Sequence, residues 1–192
     1  MNTVRCSQSP KSSGWFKLIA VVSLVLLCAM GTAMTALPQS EFKVTTVYLV
    51  RHAEKAAAPA ADPPLTEAGT KRAEDLARKL SKAGVKTILT SQFLRTKHTA
   101  EPLAKQLGIT ATVVPVKMAG RELSPDYLKE MAERATSGGG SVLIVGHSNT
   151  VPELIKALGG DVAPAIDESV YDDLFVVTVY ARGKAKVAHL KQ

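Results

Sequence analysis

The chain has 192 residues, 46% of them hydrophobic and 21% charged, with 13 Gly and 10 Pro. A domain of about 150 residues buries roughly 70% of its unfolded surface, so this length supports one core without metal or disulfide staples. Disordered, collagen-like and low-complexity classes are excluded by that composition, and no apolar heptad or 20–50-residue repeat persists. Of the formal charge of +7, three positive charges (Arg5, Lys11 and Lys17) lie in residues 1–36, which hold no acid, leaving a mild +4 for the remainder. That excess suits an anionic substrate. With aromatics at 5% and no dense Lys/Arg stripe, nucleic acid is not an expected partner.

The basic residues precede an uninterrupted apolar run over 18–30, and small residues follow over 31–36. A basic n-region, an apolar h-region and a small-residue c-region describe a secretory signal peptide. Residues 18–36 are also just long enough for an uncleaved membrane anchor. Lipid attachment at Cys28 is a poorer fit, because Leu27 is bulky for the cleavage position. Either main reading exports everything after Pro38, giving 1–36 as the signal or anchor and 37–192 as the domain. Cys6 and Cys28 both fall in the export segment, so the domain has neither a disulfide nor a cysteine nucleophile.

Buried strands are predicted over 44–50, 87–90, 111–116, 141–145 and 174–180, as near-continuous β-branched and Leu runs. A sixth, poorer run over 186–190 suits an edge. Helical periodicity covers 66–83, with Thr66 as N-cap, Gly84 as C-cap and i,i+4 pairs Glu67/Lys71, Glu74/Arg78 and Asp75/Lys79. A second helix runs over 93–107, kinked or restarted near Pro102. The third opens at Ser124-Pro125 and fades before 138–140. The fourth opens near Asn149-Thr150 and ends at 159–160. This alternation predicts a three-layer α/β fold with a mostly parallel central sheet of five to six strands and helices on both faces. Ligands of such folds bind beyond the carboxyl ends of the strands.

Three polar clusters fall at those ends: Arg51-His52, Ser91 to Arg95, and Gly146-His147-Ser148-Asn149. A phosphoryl group in transfer spreads charge over three oxygens and needs fixed cations and forked donors. Arg51 and Arg95 supply two planar forks, and the helix after His147 adds N–H groups and a positive dipole end. His52, largely neutral near pH 7, can attack phosphorus and form a phosphohistidine, with His147 donating to the phosphoryl oxygens. A metal site is disfavoured, since two arginines repel a divalent cation and no third ligand stands at zinc-like spacing. Ser148 is not in a Gly-x-Ser-x-Gly elbow. His98 reads as a solvated or packing residue, and His189 as an exposed one near the C-terminus. Protonating a leaving group calls for a carboxylic acid near the pocket, and Glu54 and Asp62 stand at its rim. Tyr171-Asp172-Asp173 reads as a turn.

Arg51-His52-Ala53 with Leu65-Thr66-Glu67-Ala68-Gly69, then Ser91-Gln92-Phe93-Leu94-Arg95, then Gly146-His147-Ser148-Asn149-Thr150 resemble, in order, the signature segments of the histidine phosphatase (phosphoglycerate mutase-like) superfamily. The resemblance spans residues 46–179 and is to the branch of small single-domain members such as the SixA-like phosphohistidine phosphatases. It implies a phosphoglycerate mutase-like fold, no cofactor, and Arg51, His52, Arg95 and His147 as the catalytic and substrate-binding set. Relatives place their acid either as a Glu after the second arginine segment, which Glu122 would match, or as an Asp directly after the second histidine, where this chain has Ser148. SixA-like members dispense with it. The expectation is an exported phosphomonoesterase of the periplasm or the outer face of the membrane. Its substrate is a phosphorylated small molecule, an envelope glycan or a phosphoprotein. A non-catalytic anion-binding module and a mutase-type phosphotransferase are the alternatives. The sequence sets no oligomeric state.

Overall fold

The computed structural model describes residues 42–161 and 164–192. The export segment expected at 1–36 lies outside them. Among the described residues no helix is long and apolar enough to cross a membrane.

The elements of the compact unit Phe42–Gln192 are β1 (Thr45–Arg51), α1 (Glu67–Leu80), β2 (Val85–Thr90), α2 (Leu94–Leu107), β3 (Thr112–Val113), β4 (Met118–Ala119), β5 (Glu122–Leu123), α3 (Pro125–Thr136), β6 (Gly140–Gly146), α4 (Thr150–Ala157), β7 (Asp173–Ala181) and β8 (Lys184–Lys191). Six strands form one sheet in the order β3-β2-β6-β1-β7-β8, and β4 pairs with β5 in a separate hairpin. β3, β2, β6 and β1 are parallel. β7 runs antiparallel to β1, and β8 antiparallel to β7.

The strands read as continuous apolar runs because both faces are covered. Val47, Leu49, Val142, Ile144, Phe175 and Val177 face Tyr127 and Met131 of α3 and Val151, Leu154 and Ile155 of α4. Their neighbours Val50, Leu143, Val145 and Ile88 face Leu76 and Leu80 of α1 and Ala100 and Leu103 of α2. Alternate residues of one strand thus serve opposite cores, the period of two that a sheet imposes. The three-layer architecture expected from the sequence is the one observed.

Local departures have local causes. The run over 111–116 pairs only at Thr112–Val113. The imino nitrogen of Pro115 has no proton for a ladder, and the Val116 N–H goes to Gln92 Oε1 at 2.9 Å. The β4–β5 hairpin was not anticipated; its turn needs Gly120 at φ +68°. α1 is N-capped by Thr66 as expected, through a bond from Gly69 N–H at 3.1 Å. It ends at Leu80 with Ser81 as cap, so Gly84 lies in the following turn rather than at the C-cap. Arg78 pairs with Asp75 instead of Glu74. α2 continues through Pro102 as one helix, with Thr96, Thr99, Ala100 and Leu103 holding its buried face.

The direction of β7 matters most for the site. After α4 descends from the carboxyl edge, Gly159 and Gly160 meet the β7–β8 turn, where Ala185 N–H donates to Gly159 O. The chain then returns to the carboxyl edge, and its described residues 164–172 form no strand. β7 therefore starts beside the ends of β1 and β6 and runs down, bringing residues 167–173 to the same edge.

Candidate active site

β2, β6 and β1 are adjacent, so the residues that follow them converge. Arg51 pairs in register with Gly146, and His52 N–H donates to Gly146 O at 3.0 Å. His52 and His147 consequently lie side by side, with ring centroids 5.4 Å apart at 65°.

His52 is 3% exposed. Its Nδ1 lies 2.8 Å from Ala53 O. A carbonyl only accepts, so Nδ1 carries the proton and Nε2 keeps a lone pair. Burial, offset in part by the Ala53 bond and reinforced by Arg51, Arg95 and Lys55, lowers the His52 pKa to about 4. The backbone beneath is pinned to α2: Ala53 N–H donates to Thr99 Oγ1 at 2.9 Å, and Thr99 Oγ1 donates to Arg95 O at 2.7 Å.

His147 is held from two sides. Its N–H donates to Thr150 Oγ1 at 2.7 Å, and its Nε2 lies 3.0 Å from Ser91 Oγ, which in turn lies 2.9 Å from Thr96 Oγ1. The Phe93 ring meets the imidazole edge-on at 5.5 Å. Burial first, then Arg95, His52 and Arg51, push its pKa down to about 3. Both histidines are neutral at physiological pH, with burial the larger cause and the arginines the smaller.

Each guanidinium lies over an aromatic ring at 4.3 Å, Arg51 on Tyr171 and Arg95 on Phe93. Arg51 donates through Nη1 to Asp167 O (2.9 Å) and Val170 O (3.1 Å), and through Nη2 to Glu168 Oε2 at 2.6 Å. Arg95 lies 3.9 Å from Asp62 Oδ1. Burial lowers its pKa from the ordinary arginine range, Asp62 and Glu168 counteract, and Arg51 adds to the lowering. Among the described residues only four buried side-chain nitrogens or oxygens have no hydrogen-bond partner, and two are Arg51 Nε and Arg95 Nε. A buried donor without an acceptor costs about 1–3 kcal/mol, so two of them on neighbouring cations mark a place for an anion.

The rim residues separate. Glu54 is committed to Arg72, which grips it with three hydrogen bonds of 2.6–3.0 Å. Asp62 Oδ1 accepts from Leu94 N–H at 2.9 Å, capping α2 where its own N-cap residue, Phe93, offers no side-chain bond. Glu122 is exposed on β5 and joins no hydrogen bond of the histidine–arginine group; it lines a cleft of about 770 Å³ with Arg121, Lys156, Ser148 and Asn149. Ser148 Oγ donates to Glu168 Oε1. His98 is half-buried on α2. His189 is exposed as expected but not merely solvated, since it stacks on Phe175 at 4.5 Å and bonds Asp173 Oδ1 at 2.6 Å.

Reading the sequence missed Glu168 and Tyr171, placing the latter in a plain turn. A parallel β7 would start at the amino edge, far from the site; the antiparallel course reverses that. Ser91 stood inside a quoted segment, but nothing in spacing alone assigns its hydroxyl to His147.

The sequence model of the histidine phosphatase superfamily (branch 1) matches residues 47–117. The protein named "Probable phosphoglycerate mutase GpmB" of Cronobacter sakazakii is 37% identical over 75 residues, which are 36% of this chain and 35% of that protein. The match thus spans about a third of the curated relative. The structure of the protein histidine phosphatase SixA complexed with tungstate aligns with a TM-score of 0.60 at 22% identity, over 76% of this chain and 96% of that one. The mycobacterial glucosyl-3-phosphoglycerate phosphatase aligns at 0.53 and 15% identity, over 78% and 98%. The structural likenesses carry the fold, and the sequence model covers the segment with both arginines and the first histidine, so that over this segment the chain is similar to the histidine phosphatase superfamily.

Proposed function

We propose that the protein is a phosphomonoesterase that forms a phosphohistidine on His52. The observation that carries this reading is the pair of buried, acceptorless donors Arg51 Nε and Arg95 Nε beside a neutral imidazole whose proton is held on Nδ1. The guanidiniums bind the phosphoryl oxygens and take up the charge that spreads over them in the transition state. The lone pair of His52 Nε2 attacks phosphorus, and water then cleaves the N–P bond. When Ser91 Oγ–H donates to His147 Nε2, the one ring proton sits on Nδ1 and is free to bond a phosphoryl oxygen. The set needs no metal. The cleft beyond Ser148 gives the leaving group room, in keeping with either a phosphorylated small molecule or a phosphoprotein segment.

Brief reaction with a phosphoryl-labelled monoester leaves acid-labile label on the wild type and none on His52→Ala. A wild type that takes no label and hydrolyses nothing over a broad phosphoester panel overturns the enzyme in favour of an anion-binding module. Export is part of the same proposal, supported by the basic-apolar-small pattern of residues 1–36. A periplasmic reporter fused after Gln39 is expected to be active, and an inactive fusion removes the export reading.

A further inference from the structure

An unactivated phosphate ester leaves as an alkoxide unless a proton reaches its oxygen, so its hydrolysis calls for a carboxyl on the side of phosphorus opposite the nucleophile. His52, 3% exposed, forms the floor of the site, so the leaving oxygen departs toward solvent. Glu54 is taken by Arg72, and Asp62 Oδ1 by the start of α2. Glu122 stands on the hairpin side of the cleft. Glu168 bonds Arg51 itself. One carboxylate oxygen accepts from Arg51 Nη2 at 2.6 Å and the other from Ser148 Oγ, and its charge is felt at Arg95. Its side chain is 75% exposed, which sets it on the solvent side of the guanidiniums.

We infer that Glu168 is the acid–base carboxyl of the reaction, a catalytic residue supplied by the return loop in place of an acid directly after His147. The inference rests on the phosphohistidine reading above. A phosphoryl group on Arg51 competes with Glu168 for that guanidinium, which frees the carboxyl to face the leaving group. In the first step the His52 Nε2 lone pair forms the N–P bond, the ester P–O bond breaks, and the Glu168 proton passes to the leaving oxygen. In the second, the Glu168 carboxylate takes a proton from water while the water oxygen bonds phosphorus. The N–P bond breaks, its electron pair returns to Nε2, and phosphate leaves with Glu168 protonated again. Ser148 orients the carboxyl throughout.

Glu168→Gln keeps an amide of the same shape but has no acidic proton to give. Its kcat/KM is compared with wild type over phosphomonoesters graded by leaving-group basicity, alongside label trapping on His52. The expected result is a 10²–10⁴-fold loss on alkyl phosphates, but under about tenfold on nitrophenyl phosphate, with His52 still labelled by the latter. Ser148→Ala moves the same leaving-group sensitivity in the same direction by less, which provides a readout should Glu168→Gln fold poorly. A uniform fall across the panel in both variants makes Glu168 a prop for Arg51 and overturns the inference. So does the graded signature appearing in Glu122→Gln and not in Glu168→Gln. If labelled wild type is found in either case, the phosphohistidine reading stands. A hydrolytically active wild type without label on His52 defeats that reading and this inference together.

Discussion

Arg95 shows how a single side chain is held rigid with one donor left open. Its plane is set by the Phe93 ring beneath it, its backbone carbonyl is tied through Thr99 to Ala53, the residue after His52, and its Nε is buried without an acceptor. Substituting Ala removes charge, fork and stacking at once. A lost preorganised donor of this kind typically costs ~2.7–4 kcal/mol of transition-state stabilisation, so Arg95→Ala is expected to lower kcat about 10²–10³-fold. Arg95→Lys restores the charge but not the forked geometry, and should recover substrate binding more than turnover. Steady-state kinetics on one good substrate checks both. An Ala variant with near-normal kcat removes Arg95 from the transition state.

At the level of elements, legibility followed the strength of local signal. β1, β6 and α1 were plain because unbroken Val/Ile/Leu runs and a 3.6-residue period are set by burial alone, and burial is what the fold realises. Arg51, His52, Arg95 and His147 could be found because each stands directly at or just beyond a strand or at the start of a helix. What stayed hidden depends on direction and on distant pairing. The sequence of residues 173–181 suits either strand direction equally; its sense follows from whether the return from α4 adds a strand, and residues 164–172 do not. That one reversal carries Glu168 and Tyr171 to Arg51 from more than a hundred residues away. The capping of α2 by Asp62 was likewise invisible, since a cap usually comes from the adjoining residue and here arrives from the loop between β1 and α1. That loop is closed at its base by Thr66 N–H on Glu54 O at 2.9 Å and by Gly69, whose Cα approaches so near that a Cβ would meet Glu54 O at 2.2 Å. A glycine read as part of a motif is, physically, the seat of α1 against the segment that follows His52.

For the whole molecule, concentrating two imidazoles and two guanidiniums at one sheet edge ties stability to pH. His52 and His147 have folded pKa values of about 4 and about 3, below the ordinary 6.5. Above pH 6.5 neither state binds the proton, and the site imposes no pH dependence through them. As pH falls below 6.5 the unfolded chain binds protons that the native rings refuse, so stability declines, each ring contributing about 1.4 kcal/mol per pH unit until its folded pKa is reached. Between pH 6.5 and pH 5 the two together should remove roughly 3 kcal/mol, a large share of the 5–15 kcal/mol typical of a domain. The salt-bridged carboxylates with lowered pKa values, Glu54 and Asp173 among them, lose their contributions only at more acid pH, which leaves this window to the histidines. Urea unfolding at pH 6.5 and pH 5 is expected to show the decline in wild type and a much flatter response in a His52→Asn/His147→Asn double variant. Equal slopes in the two proteins would mean that the two rings titrate in the folded chain as they do in the unfolded one, and that burial does not hold them neutral.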